Sequence, residues 1–274
     1  MEFTAPTAEQ VLAITVNAGI AEIAAHERYA AASPDMVEAI VEGIGAFATG
    51  EWAPLNRAGD LEGALLANGT VTLPTGFSDA YRSYVEQGWN AISGEEAYGG
   101  QGLPFTLSAN VIENLGTANM AFGLLPMLTV GAIEALTHHG SDAQKALYLT
   151  RLISGEWSGT MNLTEPQAGS DVGALRTTAV PITDGEHAGR YRIKGTKIFI
   201  TWGEHDLAGN IIHLVLARTP GAPAGSRGIS LFIVPKFRVG ADGTLGARND
   251  VRCVSLEHKL GINASPTCVM SFGD

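Results

Sequence analysis

Residues 161–177 read MNLTEPQAGSDVGALRT, and there the grammar of the chain changes. Leu175, Thr177 and Ala179 alternate with Arg176, Thr178 and Val180, the period-two pattern of a strand. Tyr191-Arg192-Ile193-Lys194 alternates again; a turn is expected at Gly195-Thr196, with the strand resuming through Ile198-Phe199-Ile200. Ile211 to Leu216, Ile229 to Val234 and Thr267 to Phe272 read as further strands. The loops 219–228 (TPGAPAGSRG) and 240–250 (GADGTLGARND) are rich in turn formers. Several strands without long intervening helices imply an antiparallel sheet or barrel.

Upstream of this stretch the spacing is helical. Ser33-Pro34 is an N-cap followed by proline at the first helical position. Val37, Ile40, Val41, Ile44, Phe47 and Ala48 then follow a 3.6-residue period, and Gly50 is expected to stop the helix. A second helix carries Phe77, Tyr81 and Val85, and a third carries Leu107, Val111, Leu115, Ala118 and Phe122. Ser141 with Gln144 makes a capping box before Leu149, Leu152 and Ile153. The glycine-rich loop 94–104 (GEEAYGGQGLP) has no preceding strand and no Walker lysine, so it reads as a turn and not a phosphate cradle. The fold class is therefore multi-domain α and β: an N-terminal all-α domain, 1–156, followed by an antiparallel β-barrel-like domain, 157–274.

Charge follows the same division. Residues 1–156 hold 5 Lys+Arg against 18 Asp+Glu, whereas 157–274 hold 12 against 10. A net charge of −11 argues against nucleic acid as a partner, and the second half carries no field that would repel an anionic ligand. No apolar run is read as a membrane span, and the first ten residues lack the basic and apolar segments of a signal peptide. Two cysteines, Cys253 and Cys268, are too few for a disulfide framework or a Cys-rich zinc site, and a reducing cytoplasm is the expected location. His138-His139 reads as a helix end and not as a metal site. Arg227, Lys236, Arg238, Arg248 and Arg252 are candidates for phosphate contacts, although loop charges are usually only solvated.

Two stretches carry chemistry: MNLTEPQAGSD at 161–171 and KGTKIFITWG at 194–203. In order and separation they resemble the middle-domain signatures of the acyl-CoA dehydrogenase family, LTEP-x-AGSD and G-x-K-x-x-IT. YGGQG at 98–102 and His258-Lys259-Leu260-Gly261 extend the resemblance over nearly the whole chain. The segment ITWGEHDLAGNIIHLVLAR resembles the large-subunit branch that includes 3-methylmercaptopropionyl-CoA dehydrogenases. The resemblance implies FAD as cofactor. Met161, Leu163 and Thr164 are expected at the isoalloxazine edge, Gly169 and Ser170 at the pyrophosphate, with Ser170 also meeting the acyl-CoA chain. Phe199, Ile200 and Thr201 are expected to flank the ring, Phe199 packing on it and the Thr201 hydroxyl donating toward N5. Glu165 is read as fixing the turn and not as a general base. Trp202, where small or polar residues are common, either reshapes the pocket or packs.

The implied reaction is α,β-dehydrogenation of an acyl-CoA thioester. In the family its glutamate base, adenine contacts and tetramer core belong to a C-terminal helical domain. That domain is expected to be absent here, so no catalytic base is assigned to this chain and a truncated, inactive form is expected. A homo-oligomer is expected of the full-length form, and an electron-transfer flavoprotein as acceptor. The alternatives are an acyl-CoA oxidase and a non-catalytic FAD- or acyl-CoA-binding fragment.

Overall fold

In the computed structural model, which describes residues 3–273, helices fill the first half and strands the second. The helical half runs α1 (Thr7–Leu12), α2 (Ile20–Ala24), α3 (Pro34–Phe47) and α4 (Pro54–Glu62), then a hairpin of β1 (Leu65–Ala67) and β2 (Thr70–Thr72). It continues through α5 (Phe77–Glu86), α6 (Phe105–Ala118), α7 (Met120–His139) and α8 (Asp142–Ser154). The Ser33 hydroxyl caps α3 by accepting from Met36 N at 3.3 Å, and Ser141 with Gln144 closes a reciprocal capping box on α8.

Two helix boundaries and one added hairpin differ from the periodicity reading. Gly50 does not end its helix: the chain passes from α3 into a π-helical turn, Ala48–Trp52, and on into α4. Burial of Trp52, stacked 3.8 Å from Phe122, outweighs the stop signal. Phe122 does not share a helix with Leu115. Asn119 is extended (φ −155°) and its side chain accepts from Phe122 N at 3.2 Å, starting α7. The "all-α" half also contains β1–β2, joined by Asn68-Gly69 with φ of 52° and 75°, the left-handed pair that a two-residue hairpin turn requires.

By length and composition α7 is apolar enough to cross a membrane, which the sequence reading missed. It is a core helix here. Gly159 lets a strand press on it so closely that an added Cβ would lie 2.4 Å from Ala132 Cβ, and Thr129 Oγ1 accepts from Gly159 N at 3.2 Å.

The second half comprises β3 (Trp157–Asn162), β4 (Thr178–Pro181), β5 (Tyr191–Thr201), β6 (Asn210–Ala217), β7 (Ser230–Pro235), β8 (Phe237–Val239), β9 (Leu245–Arg248), β10 (Val251–Leu256) and β11 (Thr267–Phe272). One sheet has the order β10-β11-β5-β4, another β3-β6-β7, and β8-β9 is a hairpin reaching into the loop expected at 240–250. All these pairs are antiparallel except β3–β6, whose long crossover permits a parallel register. There is no turn at Gly195-Thr196: β5 runs unbroken for 11 residues. Gly195 is instead where β5 crosses Thr177, whose Oγ1 would lie 2.3 Å from an added Cβ. The alternation at Leu175–Thr177 becomes strand only from Thr178; Val172–Ala174 is a tight helical turn.

One aromatic stack joins the halves. Trp52, Phe77 and Phe122 stack within the helices, and Trp202 from the sheets lies 6.0 Å from Phe122 and donates its indole N–H to Ala121 O at 3.2 Å.

Candidate functional site

The two motifs meet because β3 and β5 run side by side in opposite directions. The Thr160 hydroxyl donates to Thr201 O at 2.7 Å, and four residues on, Ile198 N donates to Thr164 O at 2.9 Å. Ser158, Thr160 and Asn162 form the buried polar face of β3, meeting His205, Thr201 O and His213 in turn. Gly159 lies on the opposite face, against α7, and alternation puts Met161, half-buried, on that same face.

After Asn162 the pairing with β6 ends and the chain turns. Glu165 and Ala168 exchange both backbone bonds at 3.0 Å, so Pro166 and Gln167 form the tip of a tight turn. Pro166 suits this place because the tip needs no N–H from it. Gly169 and Ser170 follow on the exposed side, and a Cβ at Gly169 would meet only Thr164 Cγ2, at 3.8 Å. Among the described residues the side-chain hydroxyls of Thr164, Ser170 and Thr201 make no hydrogen bond to the protein.

Opposite this turn β5 is bulged. Ile200 pairs with Cys268 and Lys197 with Met270, so Ile198 and Phe199 share one residue of β11 between them. The bulge turns Ile198 N away from β11 toward Thr164 O. It also places Phe199 at φ 57° with 58% of its surface exposed. Ile200 is different from its neighbours: it is buried in the core beside Gly203 and presents no side chain outward. Thr201 is half-buried. Trp202 has a left-handed φ of 55° and is fully buried, so it packs and does not shape an open pocket.

Beneath the turn lies a polar hub that the motif reading quoted but did not resolve. Glu165 Oε1 accepts from Thr177 N (3.0 Å), Thr177 Oγ1 (2.5 Å) and Lys197 Nζ (2.9 Å), and Oε2 accepts from Arg176 N and Gln167 Nε2, both at 2.7 Å. Burial pushes the Glu165 carboxyl up, but the bonds from Thr177, Arg176 and Lys197 outweigh it and hold the group at about 2. It is thus an ionised structural anion with its oxygens occupied, as the turn-fixing reading expected, and it is unsuited to take a proton at neutral pH. Burial draws the Lys197 ammonium down, opposed by Glu165. Lys197 also donates to Leu163 O at 2.9 Å. Nothing in strand periodicity announces a buried lysine; its only sequence signal was a cation inside an apolar strand, with a carboxylate in the neighbouring motif.

A second buried cluster lies behind. Glu204 binds Lys236 and Arg248, the latter at 2.6 Å, so these two candidates for phosphate contact are occupied within the fold. Arg238 lies 3.4 Å from the ring of His187. Ser158 Oγ is 2.9 Å from His205 Nε2, whose Nδ1 accepts from Leu207 N, so the imidazole donates to the serine and does not activate it. Cys253 and Cys268 are both buried free thiols, and among the described residues no group of three potential metal ligands occurs. A cavity of about 900 Å³, lined in part by Tyr148, Ile193, Phe232, Phe272 and the phosphate-contact candidate Arg238, lies elsewhere and includes none of the expected flavin-site residues.

Comparison with known proteins gives the family of both halves. Residues 34–156 match the family described as acyl-CoA dehydrogenase, N-terminal domain, and residues 160–274 match acyl-CoA dehydrogenase, middle domain. The chain is 52% identical over 272 residues to the 3-methylmercaptopropionyl-CoA dehydrogenase of Ruegeria pomeroyi, covering 99% of this chain and 46% of that protein. Butyryl-CoA dehydrogenase from Megasphaera elsdenii superposes with a TM-score of 0.69 at 25% identity, over 88% of this chain and 56% of that one. The fold is also that of a Bacillus anthracis acyl-CoA dehydrogenase complexed with FAD (TM-score 0.68, 24% identity, 88% and 35% covered). The chain therefore spans only about half, or less, of the length of these relatives. With both of its halves matched in order, it belongs to the acyl-CoA dehydrogenase family and carries the N-terminal and middle domains of that family.

Proposed function

We propose that this chain provides the flavin-binding wall of an FAD-dependent acyl-CoA dehydrogenase that introduces an α,β double bond into an acyl-CoA thioester. The observation that carries the reading is the meeting of the two motifs through Ile198 N and Thr164 O, beneath an exposed, outward-turned Phe199. The residues fit a flavin. Phe199 offers an apolar face, Thr164 and Thr201 offer unpartnered hydroxyls, and Gly169-Ser170 leaves open backbone where a diphosphate can approach. Bound there, FAD supplies the hydride acceptor. Met161 and Leu163 contribute main chain to the ring edge, Ile200 acts through its backbone, and Ser170 serves both the pyrophosphate and the acyl-CoA chain. Acidity of the α-carbon requires a polarised thioester and a carboxylate base. Glu165 is not that base, and we assign the role to residues outside this chain. The similarity to 3-methylmercaptopropionyl-CoA dehydrogenase favours a short acyl-CoA, and membership of the family favours an electron-transfer flavoprotein as the acceptor of the electrons.

Titration of the chain with FAD, followed by flavin fluorescence, tests the reading. Saturable binding is expected, weakened about tenfold by Thr201→Val through loss of one hydrogen bond to the cofactor. Acyl-CoA added without oxygen should perturb the flavin spectrum but not bleach it. Absence of FAD binding would sink the proposal, bleaching by this chain alone would refute the assignment of the base elsewhere, and peroxide production would favour an oxidase.

A further inference from the structure

Glu165 and Lys197 come one from each motif and are 4% and 0% exposed. Through five donors the Glu165 carboxylate ties its own turn to Arg176-Thr177 and to β5, and through Leu163 O the Lys197 ammonium ties β5 back to the end of β3. The residue after Lys197 is Ile198, whose N–H makes the bond to Thr164 O, and the residue after that is the outward-turned Phe199. The buried pair thus stands at the root of the bulge.

We propose that Glu165 and Lys197 are positioning residues of the cofactor site, a buried carboxylate–ammonium clamp. It holds the LTEP turn against the bulged strand so that Thr164, Phe199 and Thr201 are presented together. The clamp stands on its own geometry; that the edge it presents receives FAD rests on the function proposed above. An amide in place of the carboxylate is not a neutral replacement. Glu165→Gln would turn one acceptor into a donor facing N–H groups, while the Lys197 ammonium loses its counter-charge.

The test uses this chain with Glu165→Gln and the milder Thr177→Val, which removes one donor and keeps the charges. Two readouts are taken: hydrogen exchange of the Ile198 amide, with the β3–β6 ladder around Gly159 and Ile212 as internal reference, and FAD affinity together with the visible circular dichroism of the bound flavin. Glu165→Gln is expected to speed Ile198 exchange at least about tenfold with the reference unchanged, and to weaken FAD about tenfold; Thr177→Val is expected to act in the same direction by about threefold. Unchanged Ile198 exchange in both variants would overturn the clamp. Faster exchange with FAD affinity and dichroism unchanged would reduce the pair to a structural role and overturn the proposal. If Glu165→Gln fails to fold, Thr177→Val decides by the same criteria. If the unmodified chain binds no FAD, the cofactor reading falls, and the exchange readout still decides whether the clamp exists.

Discussion

Phe199 and Trp202 stand three residues apart in one strand end, both aromatic and both at a left-handed φ, yet one is 58% exposed and the other is 0% exposed. A left-handed backbone costs roughly 1–2 kcal/mol for a residue with a Cβ. At Trp202 the fold compensates for it. The indole donates to Ala121 O, stacks toward Phe122 and meets His205 edge-on at 5.5 Å. At Phe199 the fold gives no comparable return, since the ring is left largely in water. Strain without burial is characteristic of a residue kept for what it touches when a ligand is present. The inner aromatic anchors the strand; the outer one, on the function proposed above, is held for the cofactor.

Truncating the anchor is expected to have the largest effect. Trp202→Ala removes a fully buried indole and should lower unfolding free energy by about 3–5 kcal/mol, measured by urea titration. A loss below about 1 kcal/mol would show that the inner residue is not an anchor and would break the comparison.

The ground behind Trp202 also titrates. Burial first, then repulsion from Lys236, depresses His205 and His213 to about 3, with the His213 ring adding to the effect at His205 and Arg248 adding to it at His213. Their folded affinity for protons lies below the unfolded value of 6.5, so the unfolded chain takes up more protons between these limits. Stability should be complete above that upper value and fall as pH drops through the window. Glu165 extends the loss from 4.5 toward about 2 as its carboxylate protonates. Urea midpoints recorded against pH should show this acid-side decline, and His205→Gln should flatten its upper part. A flat profile between pH 6.5 and 3 would contradict the buried neutral imidazoles.

The smallest stability effect belongs to the outer residue and has the opposite sign. Phe199→Gly relieves the left-handed strain, so stability should hold or rise by about 1 kcal/mol. FAD affinity should fall about three- to tenfold with loss of the aromatic face. A stability loss like that of Trp202→Ala would show that Phe199 is packed in solution and erase the distinction.

Much of this was legible in sequence, and the failures have physical causes. Ser33-Pro34 and Ser141–Gln144 announced their helices because capping is local chemistry. Thr267–Phe272 was read to the residue because it is a short, mostly apolar run of strand formers, largely buried. Gly195 misled because a glycine needed for close approach to Thr177 looks, in one dimension, like a glycine needed for a turn. Gly50 misled because its stop signal is weak beside the burial of Trp52. Asn68-Gly69 carried a hairpin signature that the surrounding helical pattern hid. At the site, the motifs named Thr164, Phe199 and Thr201. The two motifs meet across a bulge and a buried Glu165–Lys197 pair, which are contacts between distant segments and leave no periodic trace.

The stack running from Trp52 through Phe122 to Trp202 crosses the boundary between the two family matches. Because it seats an aromatic ring of the sheet half on rings of the helical half, melting either half strips a wall from the other. Heating should therefore give a single cooperative transition, and severing the chain near residue 156 should leave two sticky, poorly soluble pieces in place of two autonomous modules.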